Sequence, residues 1–348
     1  MASSPYTDLT RPPLAVRALQ RALIVPGGLW QRLDVVAETG STNADVSQAA
    51  QGGAGEGLVV IAEQQVSGRG RRDRQWVSPP RAGLTLSVLL RPGLADPDRG
   101  WVPAPHRTWG WLPLLAGVAL REAVERIGEI DATLKWPNDL LLPDENPTGR
   151  ATGRAAEEGE GRTAEQGEGR AAEEGEGRAA EEREGRAAEE GDGRAGEPAG
   201  NAGQEPPRGK TAGILAEVAG DAVVVGIGLN VSTRADELPE TNGLPATSLL
   251  VSGAKSTDRD PLLRALLRGF AQWYAGWREA GGDAEMCGLL AAYRRGCSTI
   301  GREVRVLLPD GGVITGVAST VDGDGQLVVR TVDGSERRVS AGDVLHVR

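Results

Sequence analysis

Two runs, TAGILAEV (211–218) and AVVVGIGLNV (222–231), sit on either side of a short Gly-Asp turn. Both are rich in Val, Ile and Leu, and so tight a turn joins neighbouring antiparallel strands. LVVIAEQ (58–64) and GLTLSVLLRP (83–92) read as further buried strands. TLKWPNDLLL (133–142) begins and ends like a strand, but Pro137 cannot donate to a ladder, which predicts an edge position or a bulge. Helical periodicity marks WGWLPLLAGVALREAVERIG (109–128), which ends at a glycine, and PLLRALLRGFAQWYAGWREAG (261–281). A shorter pattern over 14–32 (Leu14, Val16, Leu19, Leu23, Ile24) predicts one lead-in helix. These elements give an α+β class, a mixed or antiparallel sheet with flanking helices.

After about Thr299 the pattern changes. REVRVLL, GVITGVASTV, QLVVRTV and ERRVSAGDVLHV are short strands separated by PDGG, DGDG and VDGS turns, which predicts a small all-β module, a barrel, over 299–348. Residues 1–33 then form a helical lead-in and 34–298 the main domain.

The net charge of −10 on 348 residues is concentrated in one place. From Gly153 an eight-residue unit, GRAAEEGE with variations, recurs; residues 144–208 hold 18 acidic and 9 basic side chains, so the remainder is nearly neutral. Within the repeat no aliphatic residue exceeds Ala, so burial cannot offset ordering entropy, and 144–208 is expected to be a disordered insertion between two strands. Closure entropy grows only logarithmically with loop length, so the fold tolerates it. No apolar run approaches membrane-spanning length, and the N-terminus lacks a signal pattern. Cys287 and Cys297 lack metal-ligand spacing and read as core-filling thiols, so a cytoplasmic location is expected.

Residues 67–76, SGRGRRDRQW, place Arg69, Arg71, Arg72 and Arg74 on a glycine-spaced loop. On the residues alone three readings stand: a solvated charge run, an RNA-binding patch, and a nucleotide-phosphate cradle of backbone amides and guanidinium forks. Near-neutral charge outside the insert weighs against RNA. RGKTAGI lacks the first glycine of a P-loop, and GIGLNV (226–231) lacks the third glycine of a dinucleotide fingerprint.

The motifs taken in order are more specific: TGSTNAD (39–45), EQQVSGRGRRDRQW (63–76), KWPNDLLL (135–142), GKTAGILAE (209–217) and VVVGIGLN (223–230). This series resembles the catalytic domain of biotin–protein ligases, over roughly 34–143 and 209–298, with the terminal module similar to that family's SH3-like domain. The resemblance implies a class II aminoacyl-tRNA synthetase-like catalytic fold and a two-step reaction. Biotin and ATP give biotinyl-5′-AMP, and the biotinyl group then passes to a lysine of a biotin carboxyl carrier protein. Too few residues precede Asp34 for a DNA-binding domain, so the monofunctional type is expected, without nucleic-acid or membrane partners, as a monomer or weak homodimer.

Carried over by resemblance, the biotin contacts are Ser41, Thr42, Asn43, Gln65, Arg69, Gly70, Arg71 and Lys210. The ATP contacts are Arg69, Arg71, Arg74, Trp76, Asn138, Asp139 and Asn230, with Mg2+ held mainly through the phosphates. Lys210, Arg71 and Arg69 are the catalytic candidates. The residues also admit plainer roles: an N-cap for Ser41-Thr42-Asn43, a core position for Trp76, and structural roles for Lys135 and Trp136. The arginine loop is expected to be loose when empty and to fold over substrate. Asp73 and Arg81 stand where many family members have glycine. A lipoate or octanoyl ligase would lack the GRGRR loop and the STN–Gln set, and the repeats carry too many glutamates to bind nucleic acid.

Overall fold

The computed structural model describes residues 11–71, 75–143, 208–241 and 243–347. Residues 1–10 of the lead-in, 144–207 of the expected insertion, and Arg72, Asp73 and Arg74 lie outside the described residues. The first half runs α1 (Val16–Leu23), β1 (Arg32–Val36), α2 (Thr42–Gln51), β2 (Leu58–Ala62), β3 (Gly68–Arg69), β4 (Gln75–Trp76), β5 (Gly83–Leu90), α3 (Trp111–Gly128), β6 (Thr133–Lys135) and β7 (Asp139–Pro143). There follow β8 (Arg208–Ala219), β9 (Ala222–Asn230), α4 (Arg259–Glu279) and α5 (Leu289–Gly296). The chain closes with β10 (Glu303–Leu307), β11 (Val313–Val321), β12 (Leu327–Arg330), β13 (Glu336–Val339) and β14 (Asp343–His346).

Seven strands form the main sheet in the order β1-β2-β5-β9-β8-β7-β6, parallel at β1–β2 and antiparallel elsewhere. The β8–β9 hairpin is at its heart, turning at Gly220 with φ +65°, a conformation that glycine adopts without strain. KWPNDLLL is not one interrupted strand. It forms the β6–β7 hairpin, with Pro137 in the turn after a cis Trp136–Pro137 peptide and β6 at the sheet edge. A bulge does occur, but in β7 between Leu140 and Leu141. The lead-in helix ends earlier than its apolar pattern, at Leu23, because Pro26 disfavours helix at Val25 and Gly27 takes φ +70°.

Helices α3 and α4 cover one face, burying Leu84, Leu86, Val225, Ile227 and Ile214. On the other face α2 covers one end, where Val46 and Ala50 meet Val60, Leu89 and Val224. Further along this second face stand Gly213, Gly226 and Gly228, and the candidate site is built on them.

The expected C-terminal barrel is not formed. The module is an open five-stranded sheet, β13-β12-β11-β10-β14, with no ladder joining β13 to β14. Its apolar side chains, Val304, Val306, Ala318, Val321 and Val329, belong to the same buried cluster as α3 and α5, so the sheet finds cover without closing on itself. Edge strand β13 carries exposed Glu336, Arg337 and Arg338, charges that blunt further pairing. Trp111 Nε1 donates to Gly323 O (2.7 Å) and Trp136 Nε1 to Gly325 O (3.2 Å), tying the module to α3 and the β6–β7 turn.

Among the described residues no helix is long and apolar enough to cross a membrane. Cys297 is buried and Cys287 half-buried, both unbridged, and burial raises the Cys287 thiol pKa.

Candidate active site

A glycine floor brings three of the sequence motifs together. Gly213 and Gly228 are register partners on β8 and β9, and Gly226 lies two residues along on the same face. A Cβ on Gly228 would fall 2.5 Å from Trp76 Cε2, and one on Gly226 would fall 2.1 Å from Asn43 Oδ1. At Gly213 it would meet Lys210 Nζ and Trp76 Cζ3, both at 3.5 Å. The glycines of GIGLN are therefore there for close approach of side chains, not of a dinucleotide. Trp76 lies flat against the hairpin, and its Nε1 is buried without a hydrogen-bond partner.

A polar network occupies the α2 end. Ser41 caps α2, its hydroxyl accepting from Ala44 N (3.5 Å), so the capping reading holds for this residue. Thr42 N donates to Gln65 Oε1 (2.9 Å), and Thr42 Oγ1 lies 3.3 Å from the same oxygen. Ser87 Oγ lies 2.8 Å from Thr42 Oγ1 and 2.6 Å from Asn43 Oδ1, while Asn43 Nδ2 donates to Glu217 Oε2 (2.5 Å). Sequence reasoning missed Ser87 and Glu217. Their signal was faint, a serine inside the apolar strand β5 and a carboxylate spaced by twos from Gly213 on β8.

At the other end Lys210 Nζ is 2.7 Å from Asp139 Oδ1, an ion pair whose angle is poor for a hydrogen bond, and Lys135 Nζ is 4.0 Å from Asp139 Oδ2. Both lysines thus face one carboxylate from neighbouring strands. The Lys210 backbone is fixed as well, its N–H donating to Pro245 O (2.7 Å) and its carbonyl accepting from Thr247 N (2.9 Å).

The two asparagines are brought near but are committed to backbone. Asn138 Nδ2 donates to Ile214 O (3.1 Å), and Asn230 Nδ2 donates to Thr247 O (3.0 Å), pinning the segment beside Lys210. Trp136 is a core residue, its N–H donating to Thr299 Oγ1 (3.0 Å). That hydroxyl also meets His346 Nε2 (3.2 Å). Burial, then the positive charges of Lys135 and Arg302, lower the His346 pKa to about 4.

On the arginine loop Gly68–Arg69 pairs with Gln75–Trp76. A Cβ at Gly68 would lie 2.2 Å from Gln65 Nε2 and 2.3 Å from Trp76 O, so glycine is required there. Arg69 is exposed, Gly70 half-buried, and Arg71 Nη1 donates to Gly342 O (3.1 Å) in the β13–β14 turn. Arg81 has φ +58°, in the left-handed region that favours glycine. Among the described residues no group of three or more His, Cys, Asp or Glu is arranged to hold a metal ion. A cavity of about 630 Å³ lies elsewhere, between α1 and α4 beside Trp30 and Trp101.

Residues 36–154 match the family described as "Biotin/lipoate A/B protein ligase family", and residues 299–347 match "Biotin protein ligase C terminal domain". Biotin–[acetyl-CoA-carboxylase] ligase of Mycobacterium tuberculosis is 36% identical over 98% of both chains. The bifunctional ligase/repressor BirA of Bacillus spizizenii is 26% identical over 86% of this chain and 70% of its own. The solved biotin protein ligase from Aquifex aeolicus in complex with biotin and ATP superposes with a TM-score of 0.60 at 23% identity, covering 92% of this chain and all of that one, which shows a shared fold. The chain belongs to the biotin–[acetyl-CoA-carboxylase] ligase family.

Proposed function

We propose that this biotin–protein ligase joins biotin to ATP on the glycine floor of β8 and β9 and passes the biotinyl group to a carrier-protein lysine at the same place. The observation that carries this reading is the common sheet face itself. It holds a polar network of Thr42, Asn43, Gln65 and Ser87 at the α2 end, a lysine–carboxylate pair at the other, and a tryptophan between them.

In the first step a biotin carboxylate oxygen forms a bond to the α-phosphorus of ATP, and the bond to the bridging oxygen breaks as pyrophosphate leaves. Lys210, set at the edge of the floor, attracts both the carboxylate and the phosphate and so brings two anions together. Arg69 and Arg71 neutralise charge on the phosphates, with Arg74 assisting from the same loop. Thr42, Asn43 and Gln65 bind the ureido ring, with Ser41 fixing the helix that carries two of them. The backbone of Gly70 follows the biotin chain.

Trp76 gives the adenine a flat apolar neighbour, and Asn230 positions the adenylate end through the segment it pins. Asn138 and Asp139 would be the polar groups near a Mg2+ ion held mainly by the phosphates. It would screen the triphosphate charge. In the second step the carrier lysine's amine bonds to the acyl carbon, the acyl–oxygen bond breaks, and AMP departs.

The partner is a biotin carboxyl carrier protein, whose identity is testable directly. Incubation with ATP, Mg2+, biotin and such a carrier domain should give an intact-mass increase of one biotinyl group on one lysine. An unmodified carrier together with no acyl-adenylate would refute the assignment.

A further inference from the structure

Lys135 and Asp139 are register partners across the β6–β7 turn, which sets their side chains opposite each other on one face of the sheet. Lys210 comes to the same carboxylate from β8, its chain crossing the space over Gly213, where a Cβ would stand 3.5 Å from its Cε and Nζ. Asp139 is thus claimed twice, by Lys210 Nζ at 2.7 Å on Oδ1 and by Lys135 Nζ at 4.0 Å on Oδ2. The three side chains differ in access to solvent: Lys210 is 29% exposed, Asp139 13% and Lys135 10%. Lys210 can therefore turn outward to an arriving anion, whereas Lys135 cannot. The backbone on both sides of Lys135 is also fixed, Leu134 O accepting from Ser298 N (2.8 Å) and Trp136 N donating to Thr299 Oγ1 (3.0 Å).

We propose that Lys135 is a positioning residue that takes over the Asp139 carboxylate when Lys210 turns to the biotin carboxylate and the phosphate. This role rests on Lys210 being the residue that brings those two anions together. Were Lys210 the sole cation at Asp139, each contact it made to substrate would strip a largely buried carboxylate of that counter-charge, a cost that holds the lysine back. With Lys135 on the other oxygen, the ammonium that leaves is replaced by one already in place. The Lys135 charge is felt beyond Asp139 as well: after burial it is the next cause of the lowered His346 pKa, about 4.

The test is single-turnover acyl-adenylate formation by the full-length enzyme, read as the second-order rate constant in biotin at saturating ATP and Mg2+. Lys135→Met, which keeps most of the side chain's length but not its charge, lowers that constant by about tenfold or more. Lys135→Arg, which keeps the charge, stays within about threefold of the parent. In an Asp139→Asn background there is no carboxylate to strand, so Lys135→Met costs less than about twofold there. A lysine that only supports packing would cost the same in both backgrounds. A parental constant in Lys135→Met, equal losses in the two backgrounds, or no rescue by Lys135→Arg overturns the proposal. If Lys135→Met does not fold, Lys135→Gln in the same two backgrounds decides it. Lys210→Ala separates the two levels: an unchanged constant there refutes the reading of Lys210 itself, whereas a lowered one with a normal Lys135→Met refutes only the transfer of Asp139 between lysines.

Discussion

Lys210 and Asp139 face each other across adjacent strands at 2.7 Å, with Lys135 Nζ 4.0 Å from the other carboxylate oxygen. The pairing holds the ammonium at the edge of the glycine floor before any anion arrives. Lys210→Ala still leaves Asp139 with the Lys135 counter-charge, so the fold should survive. Acyl-adenylate formation should slow by at least about 100-fold, ~2.7 kcal/mol in barrier terms. Single-turnover pyrophosphate release together with a melting curve checks this. A melting temperature shifted by more than a few degrees would assign the pair to stability instead.

Trp76 lies against Gly228 so closely that a methyl group has no room, at 2.5 Å from the indole. Gly228→Ala should push the ring off the sheet and cost about 1–3 kcal/mol from overpacking. The ATP KM should rise at least tenfold, more than the biotin KM. A variant with parental ATP kinetics would show that the ring's seat on this glycine does not matter for nucleotide binding.

His346 links stability to pH. Its folded-state pKa is lowered to about 4 from an ordinary 6.5 by burial and by facing Lys135 and Arg302. Between those values the unfolded chain binds more protons, so stability is fully present above pH 6.5 and is lost progressively as the pH falls toward 4. Melting temperature measured across this window should fall more steeply for the parent than for His346→Gln. Identical slopes would contradict the buried neutral imidazole.

Pro143 and Arg208 are register partners in the β7–β8 ladder, so the chain leaves and re-enters the sheet at adjacent points. A four-residue turn can therefore replace residues 146–206. Biotinylation rates should remain within about threefold of the parent. A loss beyond tenfold, about 1.4 kcal/mol, would make the repeat a participant in catalysis.

Much of this was legible in the sequence because local rules agreed with tertiary ones. The β8–β9 hairpin followed from two apolar runs and a Gly-Asp turn, and α3 and α4 from sustained periodicity. The open C-terminal sheet was not legible. Its turn chemistry specifies hairpins, whereas closure depends on whether the apolar face finds cover in α3 and α5, a long-range matter. Likewise Pro137 was read as marking an edge position or a bulge in one strand; the edge is there at β6, but the proline sits in the turn of a hairpin too short for two separate strand patterns to show. At the candidate site, motif order singled out Lys210, Trp76 and the Ser41–Asn43 run, which the structure brings to one sheet face. Ser87 and Glu217 escaped because each makes sense only across a strand pairing. Asn138 and Asn230 carried a motif, but their amides are committed to the backbone carbonyls of Ile214 and Thr247.

Pyrophosphate release from ATP and Mg2+ with no carrier present, measured with biotin, lipoate and octanoate added separately, decides whether the glycine floor activates biotin. Release with biotin alone, accompanied by an enzyme-retained biotinyl-5′-AMP, is expected. Equal release with lipoate or octanoate, or none with biotin, would contradict it.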